Sequence, residues 1–357
     1  MKKLCSMCGC ALLWAGAALM ARVAWGEEPA AVQLPAFLEA PVPATGLGEF
    51  AGAFSRFDVV LGPDREEPEW WAGAPSVARG DDGTFWLACR MRTADAPRGL
   101  RGYEIRLLRS PDGLRFERAH SIQREDVPIP GFERPCLLRD PASGRFKLYG
   151  CGPWQGGPWC IIKFEDAADP TQFRAETARP VIVARPPSYP RDAGPEEYKD
   201  PVVIHAAGQY HCYAIGVVRR TERIFHFASP DGEAWAPVGN PYQPIMDLAG
   251  WHDFYVRPAS VLPLGIGYLF VYEGSSVDWY DPVYNIATGL AFTFDLHRVT
   301  ELTPDAPLVT SSTPGPLFHT FRYSHWMFVG DEIWVYAEVA TPRQTHEIRL
   351  FRLPRHE

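Results

Sequence analysis

The chain is predicted to be all-β, a five-bladed β-propeller with four antiparallel strands per blade and a ring closed by an N-terminal strand. Three observations carry this expectation. A motif recurs at long, near-even spacing, each copy contains hairpin chemistry, and no long stretch places apolar residues at helical intervals.

The clearest copy of the motif is Tyr198-Lys199-Asp200-Pro201-Val202-Val203-Ile204-His205, an acid before a proline that opens a β-branched run. Ala74-Pro75-Ser76-Val77, Arg134-Pro135-Cys136-Leu137-Leu138 and Arg257-Pro258-Ala259-Ser260-Val261 repeat the pattern, and His325-Trp326-Met327-Phe328-Val329 is a fifth copy without the proline. The prolines are 60, 66 and 57 residues apart, and Met327 lies 69 beyond Pro258.

Each copy continues through a Gly/Asp turn into an aromatic-rich second strand, as in Asp82-Gly83 before Phe85-Trp86-Leu87 and Gly330-Asp331 before Ile333-Trp334-Val335-Tyr336. Third strands end in Ser110-Pro111-Asp112-Gly113 and Ser229-Pro230-Asp231-Gly232, which read as structural turns. The last copy supplies three strands, so residues 54–60 are expected to add its fourth and to remove an exposed edge. Composition agrees: aromatics are 13% of the chain, and Gly and Pro number 31 and 35.

Residues 1–26 have signal-peptide anatomy. Lys2 and Lys3 precede an apolar run from Ala11 to Met20, and Ala24-Trp25-Gly26 offers a cleavage site. The run is too short for a permanent membrane span. Residues 27–50, rich in Ala, Pro and Glu, read as a flexible lead-in, and 51–357 as a single propeller domain. The expectation is therefore an exported, monomeric protein, periplasmic or secreted after cleavage near Gly26.

Removing Lys2, Lys3 and Arg22 makes the formal net charge of −8 more negative still, which argues against nucleic acid as a partner. Of the cysteines beyond Gly26, Cys151 and Cys160 bracket a Gly/Pro/Trp loop and are the preferred disulfide; the alternative is that Cys89, Cys136, Cys151, Cys160 and Cys212 are all small buried hydrophobes. No Cys/His spacing resembles a zinc site, and neither metal nor cofactor is expected.

In a propeller the start of each first strand and the end of each second strand share one face. That face collects Trp70 and Trp71; Glu133 and Arg134; Lys199 and Asp200; His252, Asp253, Tyr255 and Arg257; Tyr323, Ser324 and His325; and, from second strands, Arg90, Arg92, Glu273 and Glu338. Aromatic faces, forked donors and paired acids above an apolar barrel suit a carbohydrate. The candidate catalytic carboxylates are Glu133, Asp200 and Glu273, from three different blades. The candidate substrate-binding residues are Trp71, Arg90, Arg134, Asp253, Tyr255, Arg257 and His325. Carboxylates facing each other across a channel reach the separation that inversion requires. Each residue also has a plainer reading: Asp-Pro is common turn chemistry, Glu133 beside Arg134 is a local ion pair, and the arginines brace blades.

With these motifs the chain, over residues 54–355, resembles the five-bladed propeller glycoside hydrolases, the broad group that includes families 43, 32 and 130. Phe132-Glu133-Arg134-Pro135 and Lys199-Asp200-Pro201 look like that group's acid-proline strand openings, and Tyr272-Glu273-Gly274 with Tyr284-Asn285-Ile286-Ala287 is similar to the fourth-blade segment of family 130. The resemblance implies glycosidase activity, with Glu133 and Asp200 among the catalytic carboxylates and Arg90 on substrate. Family 130 phosphorylases carry a histidine where this chain has Glu273, which favours hydrolysis. The first-blade aspartate usual in family 43 is missing at Gly73-Ala74-Pro75. A non-catalytic carbohydrate-binding propeller and a sialidase-like hydrolase, with Arg90, Arg134 and Arg257 clamping a carboxylate, are the alternatives.

Overall fold

The structure, a computed structural model, describes residues 51–184, 194–313 and 318–354. The expected signal peptide and lead-in lie outside the described residues. The protein is nearly all β, and its strands run as consecutive antiparallel meanders. The first comprises β2 (Trp71–Arg79), β3 (Phe85–Arg92), β4 (Gly102–Ser110) and β5 (Glu117–Gln123). The second comprises β6 (Cys136–Arg139), β7 (Phe146–Pro153), β8 (Trp159–Lys163) and β9 (Arg179–Ile182). The third is β10 (Glu197–Ala206), β11 (Gln209–Val218), β12 (Thr221–Ser229) and β13 (Ala236–Pro237). The fourth is β14 (Tyr255–Pro263), β15 (Tyr268–Ser275), β16 (Ala287–Thr293) and β17 (Thr300–Glu301). The last is β18 (Phe321–Val329), β19 (Glu332–Ala340) and β20 (His346–Pro354).

The N-terminal strand β1 (Asp58–Leu61) pairs antiparallel with β20, Asp58 opposite Leu350. It begins four residues later than the sequence suggests. Phe54 is used differently: it is buried and packs its ring on Phe321, Trp326 and Phe351, at 5.3, 5.9 and 5.5 Å between centroids.

Consecutive meanders enclose apolar clusters between their faces. Trp86, Ile105, Phe132, Leu148 and Phe164 fill the space between the first and second, and Leu87, Met91, Tyr336, Ile348 and Leu350 that between the last and the first. Alternation along each strand directs its residues to two such clusters in turn, which is why the strand interiors are apolar on both faces.

The turns after the third strands are built as their sequences require. The Ser110 hydroxyl accepts from Gly113 N–H (2.9 Å) and Asp112 from Leu114 and Arg115 N–H (both 2.9 Å). Ser229 and Asp231 repeat this geometry on Gly232 and Glu233. These turns also receive tethers from neighbouring meanders. Tyr149 donates to Gly232 O (2.7 Å), Tyr213 to Leu296 O (2.6 Å) and Tyr336 to Gly113 O (2.7 Å), each from a buried phenol on a second strand.

All five cysteines of the described residues are buried free thiols, which corrects the expected Cys151–Cys160 disulfide. In the β7–β8 ladder Cys160 stands opposite Gly152, one residue along from Cys151, so the two side chains leave opposite faces of the sheet. The plainer alternative, that all five serve as small core residues, is the arrangement seen. No helix among the described residues is long and apolar enough to cross a membrane.

Two outcomes follow from this packing. Tyr213→Phe strands the Leu296 carbonyl and should cost about 1–3 kcal/mol, read as a lowered Tm with unchanged far-UV circular dichroism. A thiol-alkylating reagent should leave these five cysteines unmodified in the native protein and label all of them after denaturation without reductant.

Candidate functional site

The first strands carry a shared irregularity that builds the site. Register slips by one residue between Gly73 and Ser76, Lys199 and Val202, Pro258 and Ser260, and Arg322 and His325. Such bulges re-aim a side chain out of the pleat. At three of them a non-glycine residue takes left-handed backbone angles: Ala74 (φ 53°), Asp200 (φ 54°) and Tyr323 (φ 52°). That conformation is costly for residues with a Cβ and is retained where surrounding contacts over-determine it.

The Asp200 carboxylate is held from three sides. Tyr323 donates its hydroxyl to Oδ2 (3.0 Å), Arg134 its backbone N–H to Oδ1 (3.2 Å), and Cys151 its thiol to Oδ1 (3.5 Å). Burial raises the Tyr323 pKa well above its ordinary value, so the phenol remains the donor. The next residue, Ser324, donates its N–H to Glu273 Oε1 (3.2 Å). The other Glu273 oxygen is buried with no hydrogen-bond partner among the described residues, and burial pushes this carboxyl up to about 7. Glu133 precedes Arg134 and pairs with Arg90; Arg90, Arg92, Lys199 and Arg322 overcome its burial and hold its pKa below the usual carboxylate range. The structure thus brings Glu133, Asp200 and Glu273 from three meanders to the Tyr323–Ser324 bulge. Their access differs: the Glu133 side chain is 13% exposed, while Asp200 and Glu273 are 1% and 0% exposed.

Two ion networks flank the carboxylates. Glu338, fully buried, accepts from Arg90 Nη2 (2.9 Å), Arg322 Nη2 (2.7 Å) and Ala74 N–H (3.0 Å), and lies 2.6 Å from His346 Nδ1. The guanidinium groups hold it well below the ordinary carboxylate range, and burial drives His346 down to about 3, so the imidazole is neutral. A Cβ on Gly73 would fall 1.8 Å from Glu338 Oε2, so this first-strand position has no room for a side chain beside the buried carboxylate. On the other flank Glu222 pairs with Lys199 Nζ (2.5 Å) and with Arg257 Nε. Arg257 also lies over the Tyr255 ring, 4.7 Å from its centroid.

Not every sequence candidate reaches solvent at this mouth. Trp71 is completely buried, stacked on His346 at 3.8 Å and 1° with Arg92 on its ring, so it offers no free face to a sugar. Asp253 is exposed and accepts from Val277 N–H (2.9 Å), bracing a loop. Arg90 and Arg257 are committed to buried carboxylates, and Arg134 donates to Pro258 O (2.9 Å) and Ala259 O (2.5 Å). These three therefore do not form the open clamp of the sialidase alternative. His325 and Arg134 are among the residues lining a cavity of about 530 Å³, walled by residues of β2, β6, β10, β14 and β18. There burial and the nearby Arg134 charge drive His325 down to about 3. The carboxylates themselves do not line this cavity.

Sequence reasoning left Glu222 and Arg322 out altogether, and placed Tyr323 on the face without giving it a role. Glu222 opens a third strand, a position outside the first-and-second-strand rule. Its signal was the Glu222–Tyr255 parallel bridge joining β12 to β14, which no sequence pattern announces.

No family model matches the chain, and no curated protein matches it. Among solved structures it is similar to a β-1,2-mannobiose phosphorylase from Listeria innocua, captured with β-1,2-mannobiose (12% identity, TM-score 0.58, 83% of this chain and 94% of that one). It is similar to a glycosyl hydrolase from Bacteroides ovatus (13%, 0.62, 84% and 94%) and to a thermostable family-43 glycoside hydrolase (13%, 0.56, 81% and 91%). At these identities the likeness is one of fold, and the fold this chain shares is that of the propeller glycoside hydrolase group.

Proposed function

We propose that this protein is an exported glycoside hydrolase that cleaves an oligo- or polysaccharide with paired carboxylates and inversion at the anomeric carbon. In this reading residues 1–26 are removed as a signal peptide, 27–50 are a lead-in, and the meanders are five blades of a closed wheel that acts as a monomer. The observation that carries the reading is the opposed protonation of two carboxyl groups near one bulge. Glu133 is kept ionised by its cations, and Glu273 is kept protonated to about pH 7 by burial. Glycosidic cleavage needs such a pair, one to activate water and one to protonate the leaving oxygen. Asp200, tied to Tyr323 and to the Arg134 backbone, positions the strand that presents Glu133.

A second reading, a sugar-binding propeller without turnover, is favoured by the burial of Asp200 and Glu273 and by the absence of room at Gly73. Turnover separates the two. The mature protein, screened against aryl glycosides and natural oligosaccharides with the product anomer read by NMR, should release product with inverted configuration. Binding without release supports the second reading.

Glu133→Gln should lower kcat by about 10²–10⁴-fold, the range expected when a general acid or base is removed. Asp200→Asn should lower it as well, with Tm within a few degrees of the parent. If both variants lose tens of degrees in Tm, the residues are structural. For Glu273 the raised pKa means that the folded state holds a proton that the unfolded chain releases near pH 4.5. Its contribution to stability is therefore full below pH 4.5 and is lost as pH rises through about 7. Activity should fall about tenfold per pH unit above that value, and denaturant melts of Glu273→Gln should lack the stability loss between these two limits.

A further inference from the structure

Most cations at the mouth are answered by carboxylates. Arg90 and Arg322 share Glu338, Arg90 also holds Glu133, and Lys199 and Arg257 share Glu222. Arg92 is different. It is the last residue of β3, two positions beyond Arg90 and so on the same face of the strand. It is 3% exposed, has no carboxylate within ion-pair distance among the described residues, and makes one hydrogen bond, from Nη2 to the Tyr284 hydroxyl (2.7 Å). Its Nε is buried without a partner among the described residues. Of the five N–H groups of a guanidinium, one is used.

The local charge count leaves this arginine uncompensated. Counted apart from the Lys199–Glu222–Arg257 network and from Arg134 on its two carbonyls, the group around Glu133 and Glu338 holds Arg90, Arg92 and Arg322 with His346 neutral, so among the described residues it carries one positive charge in surplus. The outer pairs Arg98–Asp281 and Arg101–Glu69 are balanced in themselves. Burial pulls the Arg92 pKa below its ordinary value, whereas the carboxylates around Arg90, Arg257 and Arg322 push theirs up. Buried cations in folded proteins are normally paired, because a neutral hydroxyl does not offset the lost hydration.

The surroundings also aim it. The Arg92 guanidinium lies 3.8 Å from the Trp71 ring centroid and 5.1 Å from that of Tyr284. Tyr284 meets a second guanidinium at 4.8 Å, that of Arg98, whose side chain is 59% exposed. The exposed Arg98 and the buried Arg92 therefore meet the same Tyr284 ring, and the Arg92 charge is felt at Glu133. A planar fork fixed by ring stacking is suited to bidentate recognition of a carboxylate, and a single surplus charge suits a monoanion.

We propose that Arg92, with Arg98 outside it, is the anion subsite of this mouth, and that the sugar taken here is acidic, a uronate-type residue whose carboxylate completes the charge balance beside Glu133. This rests on the carbohydrate reading above and narrows it to a substrate class. The bound carboxylate adds a negative charge near the site, which favours the protonated form of Glu273.

Calorimetric titration of the mature protein with galacturonate and glucuronate, as monomers and short oligomers, tests the assignment against their methyl esters and the neutral parent sugars. The acids should bind at least about tenfold more tightly than the esters, the worth of one charge-assisted fork. The difference should weaken with added salt, vanish in Arg92→Met and survive in part in Arg92→Lys. Equal affinity for acid and ester overturns the subsite while leaving the carbohydrate reading standing. A difference that persists in a folded Arg92→Met variant places the anion elsewhere and overturns the assignment. Inorganic phosphate binding tightly where no uronate does makes the ligand phosphate and overturns the substrate class. Binding of no sugar at all sinks both the inference and the reading it rests on. If Arg92→Met fails to fold, the comparison of acid with ester on the parent protein still decides.

Discussion

The structure depends on the burial of the Glu338 carboxylate among partners from distant parts of the chain. Arg90 reaches it from β3, Arg322 from β18, His346 from β20, and the Ala74 N–H from β2. A carboxylate removed from water this completely is tolerated only when every lone pair is answered, and losing one partner leaves an uncompensated buried charge. The group thus makes the closeness of the first and last meanders a condition of its own ionisation. It also determines local sequence, since the close approach at position 73 admits glycine alone.

From that anchor the order of the mouth propagates by single contacts. Arg90 extends from Glu338 to Glu133, and the residue after Glu133 lends its N–H to Asp200. Asp200 accepts from Tyr323, whose neighbour Ser324 holds Glu273. Each step crosses from one meander to another, so side-chain positions are set by the assembly rather than by any one hairpin. The strained residues Asp200 and Tyr323 sit at the middle of this relay, where the surrounding contacts sustain left-handed angles that an isolated strand would relax. Among the described residues neither Arg134 nor Arg92 has a carboxylate within ion-pair distance; Arg134 is answered by two backbone carbonyls, Arg92 by a single hydroxyl.

The three carboxylates illustrate how much environment adds to residue type. Glu133 and Glu273 have the same chemistry, yet four cations keep one ionised while burial keeps the other protonated. The difference lies in what is near each group, and all the nearby groups come from other strands. The same holds for the arginines, which look alike in the sequence. Arg90, Arg134 and Arg257 look free to clamp an anion, whereas packing commits them to Glu338, to two backbone carbonyls and to Glu222.

Residue order alone determined the strands, the Ser-Pro-Asp-Gly turns and the face on which the carboxylates gather, because alternation, turn chemistry and a recurring proline act over a few residues. It also placed Glu133, Asp200 and Glu273 together, since strand starts and strand ends share a face whenever hairpins repeat. Tertiary packing alone decided that Trp71 is core, that Cys151 and Cys160 face apart, and that Arg92 has no carboxylate partner among the described residues. These outcomes depend on residues far away in the chain: Arg90 and Glu338 are 248 positions apart. Which charges meet across such a distance is decided by how the sheets pack against one another, and local pattern carries no record of it.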